Sequence, residues 1–142
     1  MILVDANLLV YAYVPAFDAH ARARAWLEDR LGGSVRVGLP WPSVLAFLRL
    51  VTNPRVVEPA QPMTRAWAAV REWLALDVTW IPLPTERHAD VVDALLRHVG
   101  NRSNLVPDVD LAALAIEHGL ELCSADGDFA RFPGLRWTNP VA

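Results

Sequence analysis

Four aspartates occupy positions from which carboxylates can do chemistry: Asp5, Asp108, Asp126 and Asp128. Asp5 follows the apolar run Ile2-Leu3-Val4, which lacks polar alternation and reads as a strand buried on both faces. Asp126 stands in the same relation to the apolar strand Leu120–Ser124, with Asp128 two residues further on. Asp108 opens an apolar helix, Asp108–His118, where the positive end of the helix dipole favours negative charge. An acid inside a core strand is unfavourable, whereas one at the carboxyl tip of a parallel strand faces the crevice where ligands collect. Oxygen ligands without His or Cys suit a hard divalent ion, Mg²⁺ or Mn²⁺. Such an ion can activate water and stabilise charge building on a phosphodiester. Each acid also has a structural reading. Asp5 and Asp108 can be helix caps, and Asp126-Gly127-Asp128 can be a tight turn. The joint placement of Asp5, Asp108 and Asp126 carries the chemical reading, and Asp110, two residues past Asp108 on a helix, is expected to point away into solvent.

The elements that must position these acids follow from periodicity and punctuation. After the first strand, Asn7–Ala12 turns helical, and Asp18–Leu31 is an amphipathic helix stopped by Gly32-Gly33. Val35–Leu39 alternates as a strand, Pro40-Trp41-Pro42 turns the chain, and Ser43 is expected to cap a helix from Val44 to Thr52 that Asn53-Pro54 ends. Thr64–Leu76 is helical, Val78–Ile81 a strand and Glu86–Val99 a helix. The polar stretch from Gly100 to Pro107 reads as an irregular loop near the site. Gly119 stops the helix that Asp108 opens, and Leu135–Trp137 is a short last strand. Alternating strands and helices require crossover connections. The expected fold is therefore a single α/β domain over residues 1–142, three-layer α/β/α, with a mostly parallel sheet of four or five strands.

Composition narrows the function classes. The 142-residue chain is 54% hydrophobic with 6 Trp, enough apolar content to cover a partner surface as well as a core. Its net charge of −3 is not the footprint of a protein that holds nucleic acid by bulk charge. All 13 basic residues are Arg, so any phosphate contact from a basic side chain is a guanidinium contact. No run approaches the roughly 18 apolar residues of a membrane span. The N-terminus lacks a signal-peptide pattern, so the protein is expected to start at Met1 in the cytoplasm. The single cysteine, Cys123, lies in an apolar run and reads as a buried thiol.

The segments around the acids resemble a known family. Val4-Asp5-Ala6-Asn7, Phe47–Val56 with its Arg49 and Thr52-Asn53-Pro54-Arg55, Val106–Ala115, Ser124–Phe129 and Arg131–Trp137 together are similar to the PIN-domain ribonucleases. Among these the chain resembles the VapC-type toxins of bacterial type II toxin–antitoxin modules, over essentially its whole length. The resemblance implies Asp5, Asp108 and Asp126 as catalytic, metal-binding carboxylates, Asp128 as an outer fourth acid that also binds metal, and Ser124 as a small hydroxyl residue beside the site, expected with Arg49 to contact substrate. It implies Mg²⁺ or Mn²⁺ as cofactor, an RNA substrate, a homodimer and a cognate VapB-type antitoxin. One departure stands out: many PIN domains carry a glutamate on the helix after the second strand, where this chain has Leu45-Ala46-Phe47, with Ala46 the best match. Arg49, one helical turn from Ala46, is placed either to hold a phosphate or to pair with an acid.

The leading reading is thus a metal-dependent endoribonuclease, the toxin of a toxin–antitoxin pair. A non-catalytic PIN module that binds RNA or a protein is the alternative. A phosphotransferase with Asp5 as nucleophile is disfavoured, because Asn7 stands where a second aspartate is usual and no Lys is available. An antitoxin-like reading frame just upstream would separate the first reading from the others. Elsewhere, His20, His88, His98 and His118 read as surface histidines, and Trp67 and Trp73 as core residues on one side of their helix.

Overall fold

The computed structural model describes residues 1–142 and shows five short parallel strands in one sheet. They are β1 (Ile2–Val4), β2 (Val37–Gly38), β3 (Thr79–Trp80), β4 (Glu121–Cys123) and β5 (Trp137–Thr138), in the order β3-β2-β1-β4-β5. The helices are α1 (Ala6–Tyr13), α2 (His20–Leu31), α3 (Trp41–Val51), α4 (Met63–Leu74), α5 (His88–Leu96) and α6 (Val106–His118). The chain leaves β1 toward β2 and β3 on one side, and returns to β4 and β5 on the other. The sheet order therefore reverses beside β1, which opens a crevice at the carboxyl ends of β1 and β4.

Alternation along β1 builds the layers. Ile2 and Val4 join a cluster with Leu8, Leu9, Val44, Phe47 and Val70 on the face carrying α1 to α4. Leu3 joins Leu114, Ala113, Leu122 and Phe129 on the face carrying α5 and α6. A strand with successive side chains on opposite faces, covered on both, must be apolar throughout. The result is the expected three-layer α/β/α arrangement. Register then places the site. Leu3 pairs with Leu122 and Val4 with Cys123, so Asp5 and Ser124 leave the sheet side by side, and the Asp5 amide donates to the Cys123 carbonyl at 3.0 Å. No helix is long and apolar enough to cross a membrane.

Several boundaries differ from expectation, each for a local reason. Helix α3 begins at Trp41, with Pro40 at the cap in extended backbone and Pro42 inside the first turn, where a missing N–H removes no helical bond. Ser43 is consequently the third helical residue and not the cap. Asp108 is likewise the third residue of α6, whose cap position is Leu105 and makes no side-chain cap bond. The stretch from Gly100 to Pro107 is shorter as a loop than expected. Ser103–Leu105 form a 3-10 turn anchored by the fully buried Leu105, and α6 starts at Val106. Gly119 does stop α6, in left-handed backbone at φ 65°. The tryptophans of α4 part company. At about 100° per residue a six-residue step leaves them roughly 120° apart, so Trp73 packs edge-on against Phe47 while Trp67 stays 38% exposed.

Candidate functional site

The tips of β1 and β4 are laced together by side chains. Asp5 caps α1, accepting from the Ala6 amide at 2.7 Å with Oδ1 and from the Ser124 hydroxyl at 2.7 Å with Oδ2. The Ser124 oxygen in turn accepts from Asn7 Nδ2 at 3.1 Å and from the Asp126 amide at 3.0 Å. With 0% exposure and its one proton and two lone pairs all engaged, Ser124 has no capacity left for a substrate; its hydroxyl holds the Asp5 carboxylate in place. Asn7 adds a bond from the Ala125 amide to its own Oδ1 at 3.3 Å. Both readings of Asp5 therefore hold at once: it caps a helix and stands at the crevice.

Beyond β4 the chain makes a 3-10 turn, Gly127–Arg131, capped by Asp126, which accepts from the Asp128 amide at 2.9 Å. Asp128 pairs with Arg131 at 2.9 Å. Carboxylate oxygens of Asp108, Asp126 and Asp128 lie within 4.8 Å of one another. Asp5 lies alongside this group, close enough for its charge to act on Asp108. The four acids thus come from three places in the sequence to one sheet edge, and the set of three within 4.8 Å of one another includes Asp128 and not Asp5.

Burial first, and crowding of like charge after it, raises two of the acids. Burial, and then the charges of Asp126, Asp5 and Asp128, raise the Asp108 carboxyl from 3.8 to about 6, with Arg131 opposing. Burial also raises Asp5, against the hydrogen bonds from Ser124 and Ala6 and with a further push from Asp126. A pocket in which carboxylates resist ionisation, and in which every donor is oxygen, fits a divalent cation that would relieve the repulsion.

Next to the acids is a cavity of about 80 Å³ lined by Asp5, Ser43, Ala46, Pro107 and Asp108 among others. Ala46 therefore does face the pocket from α3. Ser43, which drew no functional reading from the sequence, is 2% exposed, and its hydroxyl has no hydrogen-bond partner. Arg49, one turn along α3, is exposed and makes no ion pair.

A second polar cluster lies between α5 and α6, and the sequence reading missed it. The carboxylate of Glu117, whose side chain is 0% exposed, accepts from the Thr85 amide at 2.9 Å and the Thr85 hydroxyl at 2.7 Å, and also bonds His88 Nδ1. His88 Nε2 bonds Asp110 at 2.8 Å. Asp110 is thus paired and not free in solvent, and His88 is an inter-helix tie and not a surface histidine. The available signal was spacing: residues 110 and 117 are two turns apart, so both acids lie on one face of α6. His20 and His118 are also engaged, bonding the carbonyls of Tyr11 and Leu83. Cys123 is buried as expected, and burial first, with Glu121 nearby, pushes its thiol up to about 12.

Comparison with known proteins gives one consistent result. A family model for the PIN domain matches residues 2–135. Ribonuclease VapC33 of Mycobacterium tuberculosis is 43% identical over 141 residues, covering 99% of this chain and 99% of that protein. Among solved structures, VapBC2 from Rickettsia felis, bound to a DNA fragment from its promoter, superposes with a TM-score of 0.69 at 17% identity, covering 98% of each chain. A toxin–antitoxin complex from Klebsiella pneumoniae superposes with a TM-score of 0.64 at 20% identity, covering 99% of this chain and 98% of that one.

Proposed function

The chain belongs to the PIN-domain family, among its VapC ribonucleases, and from that premise we propose that it is the toxin of a type II toxin–antitoxin module, a metal-dependent endoribonuclease that stops growth by cutting cellular RNA in the cytoplasm. The observation that carries this reading is the convergence of Asp5, Asp108, Asp126 and Asp128 on one crevice, with Asp108 raised to about 6 by burial and by its neighbours' charges. We assign Asp5, Asp108 and Asp126 to the cation and Asp128 to an outer position, and take residues 1–142 as one domain.

When bound, Mg²⁺ or Mn²⁺ would lower the pKa of water and offset charge on the scissile phosphodiester. The protein's own groups do the rest. Ser124 fixes the Asp5 carboxylate, Asp126 organises the turn that presents Asp128, and Arg131 steadies Asp128. Asp108 has to lose its proton to bind, so cation affinity should rise as pH passes through about 6. The exposed Arg49 is placed to meet an RNA phosphate outside the pocket, as a guanidinium that no acid already occupies. The decisive experiment is incubation of total RNA with the purified protein, with Mn²⁺ and with excess EDTA. Cleavage that appears with the ion and stops with the chelator supports the proposal; intact RNA under both conditions favours a non-catalytic binding module.

That second reading draws on one observation, the methyl group of Ala46 on the cavity wall. It leads to a separate prediction. Ala46→Glu should tighten Mn²⁺ binding roughly tenfold, because an added carboxylate supplies a ligand and a charge. Calorimetric titration of parent and variant checks this, and unchanged affinity would show that a side chain at position 46 cannot reach the ion.

We further propose a homodimer and a VapB-type antitoxin as partners. A net charge of −3 leaves the acidic crevice as the natural place to attract a cation, and a guanidinium on an antitoxin tail can pair there bidentately in place of the metal. Apolar tail residues would cover exposed side chains such as Trp41, Leu45 and Trp67 and provide most of the affinity. Replacing the tail Arg by Ala should then restore RNA cleavage while the complex stays assembled on size exclusion. Full inhibition by that variant, with normal Mn²⁺ uptake by the complex, would point to steric cover instead.

A further inference from the structure

We propose that Ser43 is a positioning residue of the cation site, its hydroxyl holding water that a divalent ion bound at Asp5 and Asp108 brings into the adjoining cavity; this rests on the metal-dependent reading above. The hydroxyl is inside the protein without a partner, at 2% residue exposure. Buried hydroxyls are nearly always satisfied, and an unsatisfied one marks a place where a ligand or water belongs. It arrives there because α3 starts at Trp41, which turns the third residue of the helix inward, where a cap serine would have bonded the helix's own amides.

The surroundings decide what the hydroxyl can meet. The cavity is about 80 Å³, bounded by Asp5 and Asp108 on one side and by Ser43 and Ala46 of α3 on the other. A water needs about 10–15 Å³ of such space, so the cavity has room for several waters. Of the α3 residues that line the cavity, Ser43 is the one with a polar side chain, since the others are Pro42 and Ala46. A hard divalent ion keeps several of its waters when only a few carboxylates hold it. Those waters are strong donors, and Asp5 has one lone pair on each oxygen committed to Ala6 and Ser124. Ser43 belongs to the α3 wall of the same cavity, and its hydroxyl, unpartnered beneath that wall, has both its lone pairs and its proton uncommitted. The hydroxyl thus does with a neutral group part of what a carboxylate at position 46 would do with a charge.

The test uses the full-length protein free of RNA, titrated with MnCl₂ by calorimetry and followed by electron paramagnetic resonance of bound Mn²⁺. Loss of an outer-sphere partner typically weakens metal binding 10- to 100-fold, so Ser43→Ala should bind Mn²⁺ about tenfold more weakly. Its thermal midpoint in EDTA should equal or exceed the parent's, because no protein hydrogen bond is lost. Ser43→Thr, which keeps the hydroxyl, should recover most of the affinity. Parent-like Mn²⁺ affinity in Ser43→Ala overturns the inference and leaves the proposed function standing. A lower midpoint in EDTA overturns it too, since the hydroxyl would then be bonded within the protein. Absence of Mn²⁺ binding by the parent itself overturns the metal-dependent reading and this inference together.

Discussion

Replacing Asp108 by Asn is expected to abolish RNA cleavage and, in the absence of metal, to make the protein more stable at neutral pH. Both effects come from one cause. Asp108 sits in the first turn of α6 among the carboxylates of Asp126, Asp5 and Asp128, and burial together with those charges raises it from 3.8 to about 6. A group raised on folding contributes stability that is fully present below its unfolded value, near 3.8, and is lost as pH rises through about 6. At pH 7.5 the metal-free parent therefore carries an ionised Asp108 that the fold resists. A rise of that size corresponds to roughly 3 kcal/mol, and partial solvent access lowers the figure to on the order of 1–2 kcal/mol. Asp108→Asn should unfold a few degrees above the parent in EDTA at pH 7.5, and the two melting points should converge below about pH 4. Cleavage should fall at least a hundredfold, since a lost ligand weakens a metal site no less than a lost outer partner does. Thermal unfolding at both pH values and an RNA cleavage assay check the pair of effects. Parent-rate cutting by the folded variant would remove Asp108 from the metal site, and a lower melting point at pH 7.5 would contradict the repulsion.

The second large effect lies away from the crevice. Glu117→Ala should destabilise the fold by about 3 kcal/mol or more, the range for removing one member of a buried polar pair. The change strips the Thr85 amide, the Thr85 hydroxyl and one ring nitrogen of His88 of an acceptor whose own side chain is fully buried. These bonds join the segment leading into α5 to the face of α6, so their loss frees the start of α5. Chemical denaturation would measure the effect, and a change under 1 kcal/mol would mean that water replaces the carboxylate. The same cluster imposes a pH window. Burial opposes the charge on Glu117, but the Thr85 and His88 bonds win and lower it below its usual 4.5, so its contribution holds above about 4.5 and is lost as pH falls. His88 is raised above its usual 6.5 despite burial, because Glu117 and Asp110 bond and attract its charged form; its contribution holds below about 6.5 and is lost as pH climbs through the raised value. The tie should be strongest between those limits, and His88→Gln should flatten the decline in melting temperature on the alkaline side. An identical decline in both proteins would assign it to another group.

What the sequence determined by itself is the architecture and the edge on which the acids gather. Ile2-Leu3-Val4 and Leu120–Ser124 read as buried strands because an unbroken apolar run with β-branched residues fits a strand covered on both faces. Once such strands alternate with helices, parallel pairing follows, and the first few residues past each strand's carboxyl end face the crevice. Asp5 and Asp126 were legible for that reason alone. Tertiary structure decided the rest, because it depends on partners far apart in the chain. Ser43 looked like a cap by local preference, and only the start of α3 at Trp41, with Pro40 and Pro42 around it, placed it inside the helix among the residues lining the cavity beside Asp5 and Asp108. Glu117 drew no reading from the sequence, because only the packing of α5 on α6 brings Thr85 and His88, some 30 residues away, to its carboxylate. The protonation of Asp108 is set by its burial and by the charges of carboxylates from other elements, and no residue type or spacing along one helix encodes either. Short-range rules govern where backbone turns and which face is apolar. Buried charge and hydrogen bonding are settled only when the layers close, because their energies depend on which groups lose water together.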